Sequence, residues 1–301
     1  GNKAYLEQSR DYITALLRQL MTQIAPDGQE CLDGTRFLDW PSNSNKDAIA
    51  AGLQALMVWG MRVGVEFAEL FEDRQLSNDC KAAEKKLVKA ASKVYKKFLA
   101  SCPAPDAPGS KQVTALMTIT GLIDAPKADK EFLSINGAQG FSTFYGYYML
   151  EAMAMAGNYQ GALDVIREYW GAMIDLGATS FWEDFDINWI PNAAPIDELV
   201  PEGKKDIHGD CGAYCYVGFR HSLCHGWASG PTSWLSRHIL GVEVIEPGCR
   251  QVRITPHLGD LQWVKGTFPT PYGEIQIYHE KQANGNVISE VKAPKGVSVI
   301  K

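Results

Sequence analysis

From the start of the chain to about residue 240, apolar side chains recur at three- and four-residue spacings, and after Gly241 they alternate with polar ones. The first period predicts helices, the second strands. Tyr5, Ile13, Leu16, Leu17, Leu20 and Ile24 outline one amphipathic helix over 5–24. Asn45 is placed to cap another, whose apolar face runs from Ile49 through Leu53, Met57, Val63 and Phe67 to about Phe71. A lysine-rich helix follows over 78–99, and the three prolines and glycine of 102–109 interrupt the helical pattern. Shorter helices fit 111–120 and 128–134, and a helical hairpin fits 144–155 and 159–176, with Gly157 at its bend. Residues 187–222, rich in Pro, Gly and Asp, read as a long loop before a last helix over 226–240.

Strands are expected over 252–256, 261–268, 274–279, 287–291 and 297–300, with turns at Tyr272-Gly273 and Asn284-Gly285-Asn286. The expected organisation is therefore a helical domain over 1–242 and an antiparallel β domain over 243–301. A length of 301 residues suits two domains at about 100–200 residues each. Paired helices without intervening strands are compatible with an α/α toroid, a bundle or a solenoid.

Composition narrows the function classes. Apolar residues at 46% and charged residues at 21% are those of a globular protein rather than a disordered or coiled-coil one. No run approaches the roughly 20 apolar residues of a membrane span, so no membrane partner is expected. A net charge of -6 argues against a nucleic-acid partner and suits a neutral substrate. Lys81 to Lys97 holds seven lysines, but they keep helical spacing beside Leu87, Ala91, Val94 and Phe98, as a solvated helix face would. Seven cysteines, an odd number without small-scaffold spacing, do not indicate a disulfide framework. The chain begins Gly-Asn-Lys with no signal peptide, which suggests a processed protein or a piece of something longer, and the compartment stays open.

The richest chemistry lies in Gly177-Ala-Thr-Ser-Phe-Trp-Glu-Asp-Phe-Asp186. Phe181 and Trp182 offer flat apolar faces suited to the C–H face of a sugar ring, and Glu183, Asp184 and Asp186 offer acceptors for hydroxyls or a general base. A helix exit with Trp182 packed inward fits the same residues.

Taken with Phe37-Leu-Asp-Trp-Pro41, Gly161-Ala-Leu-Asp164 through Trp170, Ser222-Leu-Cys-His225 and Trp234-Leu235, this segment resembles bacterial α-L-rhamnosidases, glycoside hydrolase family 78. The strand region, with Ile245-Glu-Pro-Gly248 and Ile254-Thr-Pro256, is similar to that family's C-terminal β domain. The resemblance implies a mainly α chain, part of an (α/α)6 toroid followed by a small antiparallel β-sandwich. It also implies inverting hydrolysis of terminal α-L-rhamnosyl residues in a rhamnose-containing oligosaccharide or glycoside, without a cofactor or metal. Glu183 matches the family's general base. Asp39, Trp40, Trp182 and His225 match positions lining the sugar pocket, although Cys224 stands where the family usually has asparagine.

One motif is missing. The resemblance implies a general acid in an Asp-x-x-x-Glu-Arg-x-Gly-Trp-x-Gly-Asp-like segment upstream of Asp39, and no residues here fit it. About seven to nine helices are expected where a full toroid has twelve. The expectation is a C-terminal piece of a rhamnosidase that carries the base side of the site, depends on upstream domains of the same polypeptide and is by itself nearly inactive. Two other classes remain open: a non-catalytic carbohydrate-binding or structural module, and another α/α-toroid hydrolase or lyase.

His208, Cys211, Cys215, His221, Cys224 and His225 crowd together, but their spacings match no usual zinc pattern. No glycine-rich phosphate loop follows a strand. Glu198, Glu202, Asp206 and Asp210 read as solvated loop acids.

Overall fold

A computed structural model describes residues 2–207 and 222–300. The helical part comprises α1 (Lys3–Gln8), α2 (Arg10–Thr22), α3 (Lys46–Leu70), α4 (Arg74–Ser101), α5 (Ser110–Ile119), α6 (Ala125–Ala128), α7 (Gly146–Met155), α8 (Tyr159–Asp175) and α9 (Gly230–Trp234). Three of the long helices begin at side-chain caps. Asn45 accepts from the Ala48 amide at 3.0 Å, Asp73 from Leu76 at 3.0 Å and Asn158 from Gly161 at 2.9 Å, each satisfying an amide with no partner inside its helix.

α3 and α4 form the largest helical hairpin, and α4 shows how patterning becomes packing. Leu87, Ala90, Ala91, Val94 and Phe98 are buried, while Lys85, Lys86, Lys89, Lys93, Lys96 and Lys97 are exposed. The lysines therefore make the solvated face the spacing implies, with Lys97 paired to Asp47 at 2.8 Å. α3 corrects one expectation, because its 25 residues are long and apolar enough to cross a membrane by length and composition alone. Its residues Ala48, Ala51, Ala55, Val58 and Met61 are instead packed inside the helical core.

Two expected helices are divided. The pattern over 5–24 breaks at Ser9, whose ψ of 0° leaves the helical region, so α1 and α2 are separate. The pattern over 226–240 becomes a 3₁₀ turn at Gly226–Ala228, then α9, then a wide turn at Leu235–Ile239. Pro231 explains the restart, since it lies in the first turn of α9, where its missing N–H costs nothing. Another wide turn, Asp129–Leu133, extends α6.

Inside the long loop, β1 (Ala193–Ala194) and β2 (Lys205–Asp206) make a short parallel pair. The C-terminal strands are β3 (Val242–Val244), β4 (Gln251–Ile254), β5 (Trp263–Thr270), β6 (Gly273–Lys281), β7 (Val287–Lys292) and β8 (Ser298–Ile300). β5, β6 and β7 form an antiparallel sheet. β8 departs from the all-antiparallel expectation by pairing parallel to β4, because the chain returns after β7 to the other sheet and runs in the direction of β4. Leu240, Val242, Val252, Ile254, Ile275 and Ile277 make the strand core.

The two parts are closely joined. Gly241 has φ +73°, and a Cβ there would lie 2.3 Å from the Thr255 carbonyl carbon, so only glycine fits. Tyr159 stacks on His257 with centroids 3.7 Å apart and planes within 5°. Arg167 makes a two-pronged contact to Asp260 at 3.0 and 2.8 Å.

Candidate functional site

Asp39 enters the interior from the loop between α2 and α3. It is only 4% exposed, and three donors reach its carboxyl: the Trp40 amide at 3.0 Å, Gln112 of α5 at 3.2 Å and the Ser142 hydroxyl at 2.6 Å. Its backbone is tied down as well, with the Asp39 amide donating to the Ser42 hydroxyl and that hydroxyl donating to the Asp39 carbonyl. Burial pushes the Asp39 carboxyl above the usual carboxylate range, against the three hydrogen bonds, which favour the ionised form. Trp40 is half-buried and meets Phe37 edge-on at 4.9 Å.

Glu183 lies beyond α8, in an irregular stretch hydrogen-bonded to Ser222. Its amide donates to the Ser222 carbonyl at 2.8 Å, and the Ser222 amide donates back to Glu183 Oε2 at 3.1 Å. The Glu183 carbonyl accepts twice, from the Thr143 hydroxyl at 2.6 Å and the Trp227 indole at 2.7 Å. With 6% exposure, the residue is held on both its backbone and its side chain, which limits where the carboxylate can point.

Ser142 and Thr143 are the hinge between these two acids. Neighbours in sequence just before α7, they donate respectively to the Asp39 side chain and the Glu183 backbone. His225 joins the same group: its amide donates to the Phe181 carbonyl at 2.8 Å, and its ring lies 4.4 Å from that of Trp227. The fold thus brings Asp39, Trp40, Glu183 and His225 to one region from loops far apart in the chain. Trp182 is placed differently from the sugar-facing position expected for it, because it is fully buried and edge-on to Phe185 at 6.0 Å. Trp182, Glu183, Asp184 and Phe185 are all buried, so the whole segment is packed inward and the indole is enclosed in the core.

Several residues here carried no signal in the sequence. Gln112, Ser142, Thr143 and Trp227 are ordinary polar and aromatic positions, and only the fold sets them around the two acids. Lys111 is another. Completely buried on α5, it donates to the carbonyls of Ile135 at 2.9 Å and Gly137 at 2.7 Å, and it lies 5.0 Å from the Phe141 ring. Burial lowers its pKa to about 8, although Glu168, Asp106 and Asp129 pull the other way. The lysine thereby clasps the turn that delivers Phe141, Ser142 and Thr143.

The remaining acids separate by burial. Asp184 is buried, and Tyr169 beneath it has its phenol pushed upward by burial and then by the nearby Asp184, Asp186 and Asp39 charges. Asp186 caps the 3₁₀ turn Ile187–Asn192 by accepting from the Asn188 amide at 2.9 Å. Glu198 and Glu202 are exposed, while Asp206 is half-buried in β2. Asp210, His208, Cys211, Cys215 and His221 lie outside the described residues. Among the described residues, no three His, Cys, Asp or Glu side chains come together as a metal site, and Cys31, Cys80, Cys102, Cys224 and Cys249 are free thiols.

Comparison with known proteins follows the same geography. Residues 241–300 match the family model described as the bacterial alpha-L-rhamnosidase C-terminal domain. The chain shares its fold with a GH78 rhamnosidase of Bacillus sp. GL1, at 21% identity and TM-score 0.71 over 99% of this chain and 31% of that one. An alpha-L-rhamnosidase of Dictyoglumus thermophilum matches at 19% identity and TM-score 0.72 over 99% and 32%. That of Streptomyces avermitilis, solved with L-rhamnose, matches at 18% identity and TM-score 0.68 over 99% and 27%. No curated protein sequence matches. The chain therefore resembles α-L-rhamnosidases along its whole length, and it spans about a third of the length of the solved structures it matches.

Proposed function

We propose that this chain supplies the base side of an inverting α-L-rhamnoside hydrolase, with its helices forming part of an (α/α)6 toroid and its two sheets a small sandwich. The observation carrying this reading is the setting of Glu183, a nearly buried carboxylate whose main chain takes three hydrogen bonds and whose Oε2 takes a fourth. A general base has to be pre-positioned, because misplacement by about 1 Å costs on the order of 100-fold in rate.

In this reading Glu183 removes a proton from water on one face of the sugar ring. A carboxylic acid from upstream residues, roughly 6.5–9.5 Å away, protonates the leaving oxygen on the other face. Trp40 and His225 line the rhamnose pocket, with Trp227 beside His225. Asp39 contributes by position: its carboxyl is already engaged by Trp40, Gln112 and Ser142, so it holds the Trp40 loop rather than offering itself to a hydroxyl. Trp182 backs Glu183 from within the core. The substrate is a rhamnose-containing oligosaccharide or glycoside, as the rhamnose-bound Streptomyces avermitilis structure suggests by analogy.

The test is release of p-nitrophenol from p-nitrophenyl α-L-rhamnoside by the parent protein with its upstream residues restored. Glu183→Gln should lower kcat by about 10²–10⁴-fold, the usual contribution of a positioned base. Activity near wild type in that variant would remove Glu183 from the role. The 301-residue chain alone should release little product.

A further inference from the structure

The outer face of the sheet formed by β5, β6 and β7 has features the proposed hydrolytic site does not explain. Alternation along β5 and β6 turns one set of side chains into the strand core and the other toward solvent. The outward set includes Trp263, which is 60% exposed, and Tyr278 on the neighbouring strand. They border a depression of about 850 Å³, with Lys265, Gln276, Glu290 and Lys292 among its lining groups. That volume is within the range of small-ligand sites.

An indole left so exposed is not buying core stability, since burying it would remove far more apolar surface from water. Its surroundings decide what it suits. Register places Tyr278 between Lys265 and Glu290, and Gln276 beside Lys292. Among the described residues, Lys265, Lys292 and Glu290 form no ion pair within 4.0 Å and the Gln276 side chain forms no hydrogen bond, so donors and acceptors of this face are available together. Charge is balanced, as Lys265 and Lys292 are offset by Glu290 and by Glu280, which faces Trp263 across the strands. A polyanion would find no net attraction here, and an aliphatic peptide surface would find too many polar groups. Flat rings beside mixed donors and acceptors fit a neutral polyhydroxylated ring, whose C–H face stacks on the indole while its hydroxyls reach the flanking side chains.

We propose that this face is a second carbohydrate-binding surface, taking a neutral oligosaccharide or polysaccharide chain independently of Glu183. It would hold a polymeric substrate to the protein without taking part in bond cleavage, and it stands even where the hydrolytic reading fails.

Affinity electrophoresis of the 301-residue chain through gels containing a neutral polymer, arabinoxylan or a mixed-linkage β-glucan, tests it, with polygalacturonate as the charged control. One of the neutral polymers should retard the chain, Trp263→Ala should weaken that retardation at least tenfold, and Tyr278→Ala should weaken it too. Both variants alter outward side chains, and an unchanged thermal transition shows that they fold. Glu183→Gln should be retarded like the wild type, which separates this surface from the proposed hydrolytic site. No retardation by either neutral polymer, retardation that survives Trp263→Ala, or retardation by polygalacturonate alone would overturn the proposal.

Discussion

Asp39 in the helical part and His279 in the strand part are both buried side chains held by hydrogen bonds, and burial drives both toward their neutral forms. The consequences for pH are opposite. Asp39 has its carboxyl pKa raised, so the cost of burying its charge applies above that raised value and is relieved as pH falls through it. The neutral His279 ring donates from Nε2 to the Leu240 carbonyl at 3.1 Å and accepts at Nδ1 from the Ser289 hydroxyl at 2.7 Å, and burial lowers its pKa below 6.5. Its contribution is therefore present at neutral pH and lost as pH falls below that unfolded-state value. His257, stacked on Tyr159 at the junction, is lowered for the same first reason and then by His238, so the junction shares the acid sensitivity of the strands. Mild acid should loosen the strand part and its attachment before it disturbs the polar network around the two acids.

The strongest way to break this comparison is to weaken one part alone. Leu87→Ala removes a fully buried side chain from the α3–α4 packing and should cost about 2–5 kcal/mol. Calorimetry that shows the helical transition lowered, with hydrogen exchange in β6 unchanged, would establish that the parts melt separately. Gly241→Ala strikes the joint, where a positive φ and a 2.3 Å clash coincide, and should cost more than about 1 kcal/mol. Hydrogen exchange should then rise on both sides of residue 241, and protection unchanged in β3 would contradict the close fit described.

Two smaller changes sharpen the pH contrast. Wild-type thermal stability of the strand part should decline from pH 6.5 to 5, by up to about 1.4 kcal/mol per pH unit for one group, and His279→Gln should flatten that slope. A slope unchanged in the variant would assign the acid sensitivity elsewhere, with His257 first in line. Asp39→Asn should cost about 1 kcal/mol at neutral pH, because the amide avoids the buried charge but sets a donor against Gln112, where the carboxylate accepts. A larger loss in urea denaturation would mean that the ionised carboxyl, with its three donors, is the form the fold requires.

Legibility in the sequence followed how local each cause was. The solvated lysine face of α4, the caps at Asn45 and Asn158 and the strand alternation after Gly241 depend on neighbours within a turn or two, and each was readable. The break at Ser9 and the parallel return of β8 beside β4 were not, since nothing in the apolar spacing marks the first and the second depends on where the chain goes after β7. In the candidate site, Glu183, Asp39, Trp40 and His225 stood out by residue type and motif. Ser142, Thr143, Gln112 and Trp227 did not, because a serine or a glutamine has no distinguishing signal until a distant carboxylate arrives beside it.

By itself, then, the sequence determined where the long helices and the C-terminal strands lie, since period and capping are local properties of the chain. It also pointed to the candidate acids, Glu183 through its acidic and aromatic neighbours and both Glu183 and Asp39 through the resemblance of their motifs to α-L-rhamnosidases. Tertiary structure decided how those acids are held, that Trp182 turns into the core while Trp263 turns outward, and that a buried Lys111 clasps the turn leading to Ser142. Each of these depends on contacts between residues tens of positions apart, where burial and hydrogen-bond geometry are set by the assembled fold and not by any neighbour in the chain.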